Sequence, residues 1–141
     1  MKILITGFEP FGGESVNPAY EAVKLLPDMA GDIQIVKMEI PTVFGEAGKV
    51  VETGILQHQP DAVICVGQAG RRADIGVERV AINLVEASIP DNAGNQTYGC
   101  KSARRWRYGI FCNHSGKSNG KKHQGSWDPC KHILHSGDLC M

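Results

Sequence analysis

The first 96 residues alternate short apolar, β-branched runs with amphipathic stretches punctuated by glycine and proline, and that alternation stops at residue 97. Apolar runs without polar alternation are strands that need cover on both faces, and the amphipathic stretches between them are the helices that supply it. The constraint is therefore an α/β layer structure for residues 1–96 and a separate reading for residues 97–141. Charge divides at the same point. Residues 1–96 hold 7 Lys+Arg and 13 Asp+Glu, and residues 97–141 hold 8 and 2, so the formal net charge of zero joins an acidic piece to a basic one.

Lys2 to Phe8 reads as a buried strand ending in the turn Glu9-Pro10-Phe11-Gly12-Gly13. Asn17-Pro18 opens a helix, because Asn caps free amides and Pro is tolerated where its missing N–H has no partner. Ala19, Ala22, Val23, Leu25 and Leu26 continue it, and Pro27 stops it. Ile33 to Ile40 is a β-branched strand closed by Pro41. Val43 to His58 spaces Val43, Ala47, Val50, Val51, Ile55 and Leu56 as one helical face. Ala62 to Val66 is a second wholly apolar strand, and Arg79 to Leu84 is a candidate further strand. Strand and helix alternating at these lengths imply a mainly parallel sheet, with ligands at the carboxyl ends of its strands. The loops placed there are Gly7–Asn17 and Gly67–Glu78.

Length leaves room for one domain. No apolar run reaches the 18 residues of a membrane span, and Glu9 interrupts the short apolar N-terminus before it resembles an export signal, so a cytoplasmic protein is expected. Cys65 lies inside AVICVG and is expected as a buried free thiol. The odd count of five cysteines argues against a disulfide framework.

TGFEPFGGESVNP (Thr6 to Pro18), VGQAGR (Val66 to Arg71), ERVAIN (Glu78 to Asn83) and IPDNAGNQ (Ile89 to Gln96) together resemble pyroglutamyl peptidase I, also called pyrrolidone-carboxylate peptidase. The four motifs cover about the first two-thirds of the chain and stand in family order. The resemblance implies an open α/β/α sandwich and a cytoplasmic thiol peptidase that removes N-terminal 5-oxoproline from peptides. It implies no metal or cofactor, no nucleic acid or membrane partner, and frequent homo-oligomers. It also implies a mechanism in which a cysteine thiolate attacks the carbonyl, a histidine moves the proton and a glutamate orients the imidazole. Carried onto this sequence, Glu78 matches the catalytic glutamate. Phe8 and Phe11 match the aromatic residues around the pyrrolidone ring, Gln68 a pocket residue after the central strand, and Asn17 the turn residue near the pocket.

Three positions depart from the resemblance: Arg71 stands for a glycine, Gly76 for Ser or Thr, and Ser88 for an arginine near the active site. More consequentially, residues 97–141 contain no AGTxVCN segment, which holds the family's nucleophile, and no region matching the family's histidine. The chain as written is expected to be inactive. The tail reads as a shifted frame. With a stop codon after Met141, one base later reads TGT, cysteine, whatever codons are used elsewhere. Permitted codons for Ser136 to Cys140 then give Ala-Gly-Thr-Tyr-Val before it. A truncated sheet with an irregular tail is expected to fold poorly and to expose Val63, Ile64 and Val66.

The alternative is a non-catalytic α/β ligand-binding module with an adventitious tail. Cys112, His114, Cys130, His132, His135 and Cys140 are ligand types that zinc prefers, though in no zinc spacing. Arg104, Arg105, Trp106 and Arg107, with Lys117, Lys121 and Lys122, form a basic stretch without a nucleic-acid fold signature. Ser115 to Ser118 (SGKS) lacks the preceding glycine and strand of a phosphate loop.

Overall fold

The computed structural model describes residues 1–98 except Arg71, Arg79 and Asn83, together with the backbone of residues 110–111 and 133–136. Its centre is β1 (Lys2–Phe8), flanked in parallel by β3 (Ile33–Ile40) and β4 (Ala62–Val66). β2 (Met29–Ala30) pairs antiparallel with the start of β3 across a turn at Gly31, whose φ of 58° suits glycine. β7 (Ile133–Ser136) runs parallel beside β4, completing the order β2-β3-β1-β4-β7. The short strands β5 (Val80–Ala81) and β6 (Ile110–Phe111) form a separate antiparallel pair.

Side-chain alternation along β1 decides what each helix covers. Leu4 turns to the face of α2 (Glu46–His58), where it joins Ile55, Val63 and Cys65 in a buried cluster edged by Val36, Met38 and Val51. Gly7, of opposite parity, turns to α1 (Pro18–Lys24), and a Cβ there would meet Tyr20 Cδ2 at 2.8 Å. The two helices therefore lie on opposite faces, the α/β/α arrangement expected from the sequence.

The described elements adjust the expected ones at their ends. α2 starts at Glu46 and not at Val43, because Gly45 takes a left-handed φ of 79° and the Val43 carbonyl receives the Glu46 and Ala47 amides as a turn. The strand expected over Arg79 to Leu84 shortens to Val80–Ala81. The exposure expected along β4 is overturned. Val63 is 1% exposed within the α2-side cluster, Ile64 and Val66 are half-buried, and β7 pairs along the edge of β4 that was expected to be bare. The rest of the expected irregular tail lies outside the described residues, including Cys112, His114, Cys130, His132 and Cys140, its basic stretch and Ser115 to Ser118; of the ligand types only the backbone of His135 is described, within β7. No helix among the described residues is long and apolar enough to cross a membrane.

Candidate functional site

Parallel pairing brings the carboxyl ends of three strands to one edge, since Phe8 is level with Ile40 and Gly7 with Val66. Phe8 ends β1 there with its ring buried, and the half-buried Phe11 follows on the next turn. That turn uses Gly12 and Gly13, with φ of 67° and 84°. Gln68 leaves β4 at the same edge and is exposed. Asn17 is 2% exposed: its Oδ1 caps α1 by accepting the Ala19 amide at 3.0 Å, and its Nδ2 donates to the Glu9 carbonyl at 3.3 Å. The cap thus fixes both the start of α1 and the loop carrying Phe11.

Glu78 lies in the segment leading to β5. Arg72 Nη1 lies 3.6 Å from Glu78 Oε1, with both side chains partly exposed. An ion pair so exposed contributes about 0–1 kcal/mol, so it orients the carboxylate more than it stabilises the fold. Cys65 is buried in β4, and burial pushes its thiol up while a weak bond from Thr6 pulls the other way. The Thr6 hydroxyl itself meets no partner in good hydrogen-bonding geometry, which fits a thiol as its weak neighbour. His58 ends α2, and its carbonyl receives Lys2 Nζ at 2.9 Å, which places it at the amino edge of β1, away from Phe8. No cluster of metal-binding side chains occurs among the described residues.

Four residues at this edge escaped the sequence reading: Glu9, Thr42, Asp91 and Asn92. Asp91, 6% exposed, receives the Phe44 amide at 2.9 Å, the Ala93 and Asn95 amides at 2.9 and 2.7 Å, and Asn95 Nδ2 at 3.0 Å. Burial alone pushes its carboxyl up; the donated bonds from Phe44, Asn95 and Ala93 outweigh this and hold it below the usual carboxylate range. The signal in the sequence was that Glu9 sits inside the TGFEPFGGESVNP motif and Asp91 and Asn92 inside IPDNAGNQ, where no apolar period marks their polar side chains. Ser88, standing where the resembled family has an arginine, is exposed.

A family model described as pyroglutamyl peptidase matches residues 1–104. The pyrrolidone-carboxylate peptidase of Enterococcus faecalis is 62% identical over 96 residues, which are 68% of this chain and 45% of that protein. That of Clostridium botulinum is 44% identical over 146 aligned positions, covering 96% of this chain and 68% of the relative. Among solved structures, pyroglutamyl peptidase I from Bacillus amyloliquefaciens superposes with a TM-score of 0.74 and 50% identity, covering 78% of this chain and 54% of that one. The pyrrolidone carboxyl peptidase of Pyrococcus furiosus gives 0.75 and 40%, covering 79% and 54%. The chain thus spans about half the length of most of these relatives. With a shared sheet, shared helices and matching motifs in order, the chain belongs to the pyroglutamyl peptidase family.

Proposed function

We propose that the carboxyl edge of β1 and β4 is the pyrrolidone-binding half of a peptidase site that removes N-terminal 5-oxoproline from peptides. The observation that carries this is the convergence of Phe8, Phe11, Asn17 and Gln68 at one sheet edge in a member of this family. Two aromatic side chains suit a flat, uncharged lactam ring, and the exposed Gln68 amide suits its N–H and C=O. Turnover needs a thiolate to attack the 5-oxoproline carbonyl, a base to take the thiol proton and return it to the leaving amine, and water to hydrolyse the thioester. Glu78 supplies only the orientation of that base. The 141-residue chain alone therefore releases no fluorophore from a pyroglutamyl amide above buffer. Turnover abolished by Cys140→Ala would overturn this.

The same proposal takes peptides with N-terminal pyroglutamate as partners, without nucleic acid or membrane. It places the protein in the cytoplasm, and it takes the family's homo-oligomers to require more than this chain. It treats residues 97–141 as a shifted frame, on the break in charge and pattern at residue 97. Sequencing the coding DNA from codon 90 onward tests this: deletion of one base near the Gln96–Thr97 codons opens a frame containing AGTxVCN, or the idea fails. A second reading, binding without catalysis, is favoured by the burial within β4 of Cys65, the free cysteine among the described residues. Uptake of a pyroglutamyl peptide without turnover, persisting after the frame is repaired, would select it.

A further inference from the structure

Three segments far apart in sequence meet on one carboxylate at this edge. The Glu9 amide donates to the Ile40 carbonyl at 2.9 Å, tying the exit of β1 to the exit of β3. The Glu9 carbonyl accepts Thr42 Oγ1 at 3.1 Å and Asn17 Nδ2 at 3.3 Å. Glu9 Oε1 accepts the Thr42 amide at 3.0 Å and Asn92 Nδ2 at 2.8 Å. Asn92 returns the tie, donating also to the Pro10 carbonyl at 2.8 Å, with its amide on the Thr42 carbonyl at 3.0 Å. Thr42 is 1% exposed, so its amide has no ready water to replace Glu9. Among the described residues no cation lies within ion-pair distance of Glu9.

We propose that Glu9 is the positioning residue of the pocket: its carboxylate clamps the Phe11 turn against the β3 exit and the 91–95 loop. This rests on the reading of that edge as a 5-oxoproline site. Phe11 sits two residues beyond Glu9 on a turn containing two left-handed glycines, a backbone that does not hold itself in one shape. Asn17 fixes the far end of that turn to the Glu9 carbonyl, and Asn92 fixes its near end at the Pro10 carbonyl. Ile89, just before the clamped loop, reaches over the turn, since a Cβ on Gly12 would lie 3.7 Å from its Cδ1. Among the described residues, the bonds to the side chain are accepted by one oxygen from neutral donors. A glutamine amide oxygen can therefore do the same work, which separates the clamp from any role of the charge.

The test uses the full 141-residue chain as wild type, Glu9→Gln, Glu9→Ala and Asn92→Ala. Binding of the dipeptide pyroglutamyl-alanine is followed by NMR titration, and hydrogen exchange is read at the Thr42, Leu4 and Ile5 amides. Glu9→Gln should bind within about threefold of wild type, and Glu9→Ala should weaken binding about tenfold or more, the scale of one or two lost hydrogen bonds. Leu4 and Ile5 protection should stay unchanged while Thr42 loses protection in Glu9→Ala. If Glu9→Ala also loses core protection, Asn92→Ala decides, with an expected loss of about fivefold in binding on an intact core. Glu9→Ala binding as tightly as wild type, or Glu9→Gln as poorly as Glu9→Ala, overturns the proposal. An unprotected Thr42 amide in wild type refutes the clamp itself. A protected amide with no dipeptide uptake refutes the substrate reading, and with it the pocket that Glu9 is said to position.

Discussion

Replacing Gly7 with alanine tests whether the α1 face of the sheet is packed as tightly as its backbone shows. The added Cβ would lie 2.8 Å from Tyr20 Cδ2 and 3.0 Å from both Tyr20 Cα and Cβ. Ordinary carbon contacts fall at about 3.5–4.0 Å, so three contacts are short by roughly half an ångström or more. The ring can rotate away, but the Cα cannot move without carrying α1, whose start is held by Pro18 and the Asn17 cap. Overpacking of this kind costs about 1–3 kcal/mol, partly offset by the roughly 0.5–1 kcal/mol that alanine recovers over glycine within a strand. The net expectation is a loss of about 1–2 kcal/mol. In urea, with a slope of about 2 kcal/mol/M, the midpoint should fall by roughly 0.5–1 M. In a Tyr20→Ala background the ring contact is gone while the Cα and Cβ contacts remain, so the cost should shrink without vanishing. An unchanged midpoint for Gly7→Ala, or a cost indifferent to the Tyr20 ring, would refute this account of the α1 interface.

Asn17→Ala removes the α1 cap and the bond to Glu9, and should lower stability by about 1 kcal/mol in the same urea assay. Cys65, buried and with its thiol pushed up, should resist iodoacetamide at pH 8 in the native chain and react only on unfolding, read by site-resolved mass spectrometry. Asp91 has a native pKa below its unfolded value, so its stabilisation is fully present above the unfolded carboxylate range near about 3.9 and is lost as pH falls through the lower native value. Asp91→Asn should flatten the acid limb of the urea midpoint in that window and leave the slope above it unchanged.

The positions of β1, β3 and β4 were legible because each of these strands carries its own local signal. Lys2–Phe8, Ile33–Ile40 and Ala62–Val66 are apolar or β-branched runs bounded by glycine or proline, and the observed strands keep those bounds. Helix ends were less legible where backbone conformation decides them. Val43 fits the helical face of α2, yet the left-handed Gly45 starts the helix three residues later. β2 was missed because two exposed residues have no period to read; only the Ala30-Gly31-Asp32 turn hinted at it. Neither the order of strands nor the pairing of β7 with β4 has any local signature, since both depend on contacts between distant segments.

The site divides along the same physical line. Phe8, Phe11, Asn17 and Gln68 lie within motifs adjoining the strands whose ends they occupy, so placing the strands placed them. The groups that hold their loops still are of another kind. Glu9 and Asn92 stand 83 residues apart, and Glu9 and Thr42 stand 33 apart. All are polar loop residues outside any apolar period. In a linear sequence each reads as a solvated side chain, the ordinary fate of such residues in turns. What identifies them is that burial removes water from the Thr42 amide and leaves a single carboxylate oxygen to replace it. Glu9 and Asn92 also lie within the matching motifs, but a motif does not say which backbone groups the fold leaves without water. Glu9 therefore becomes visible only once β1, β3 and the 91–95 loop have been brought together.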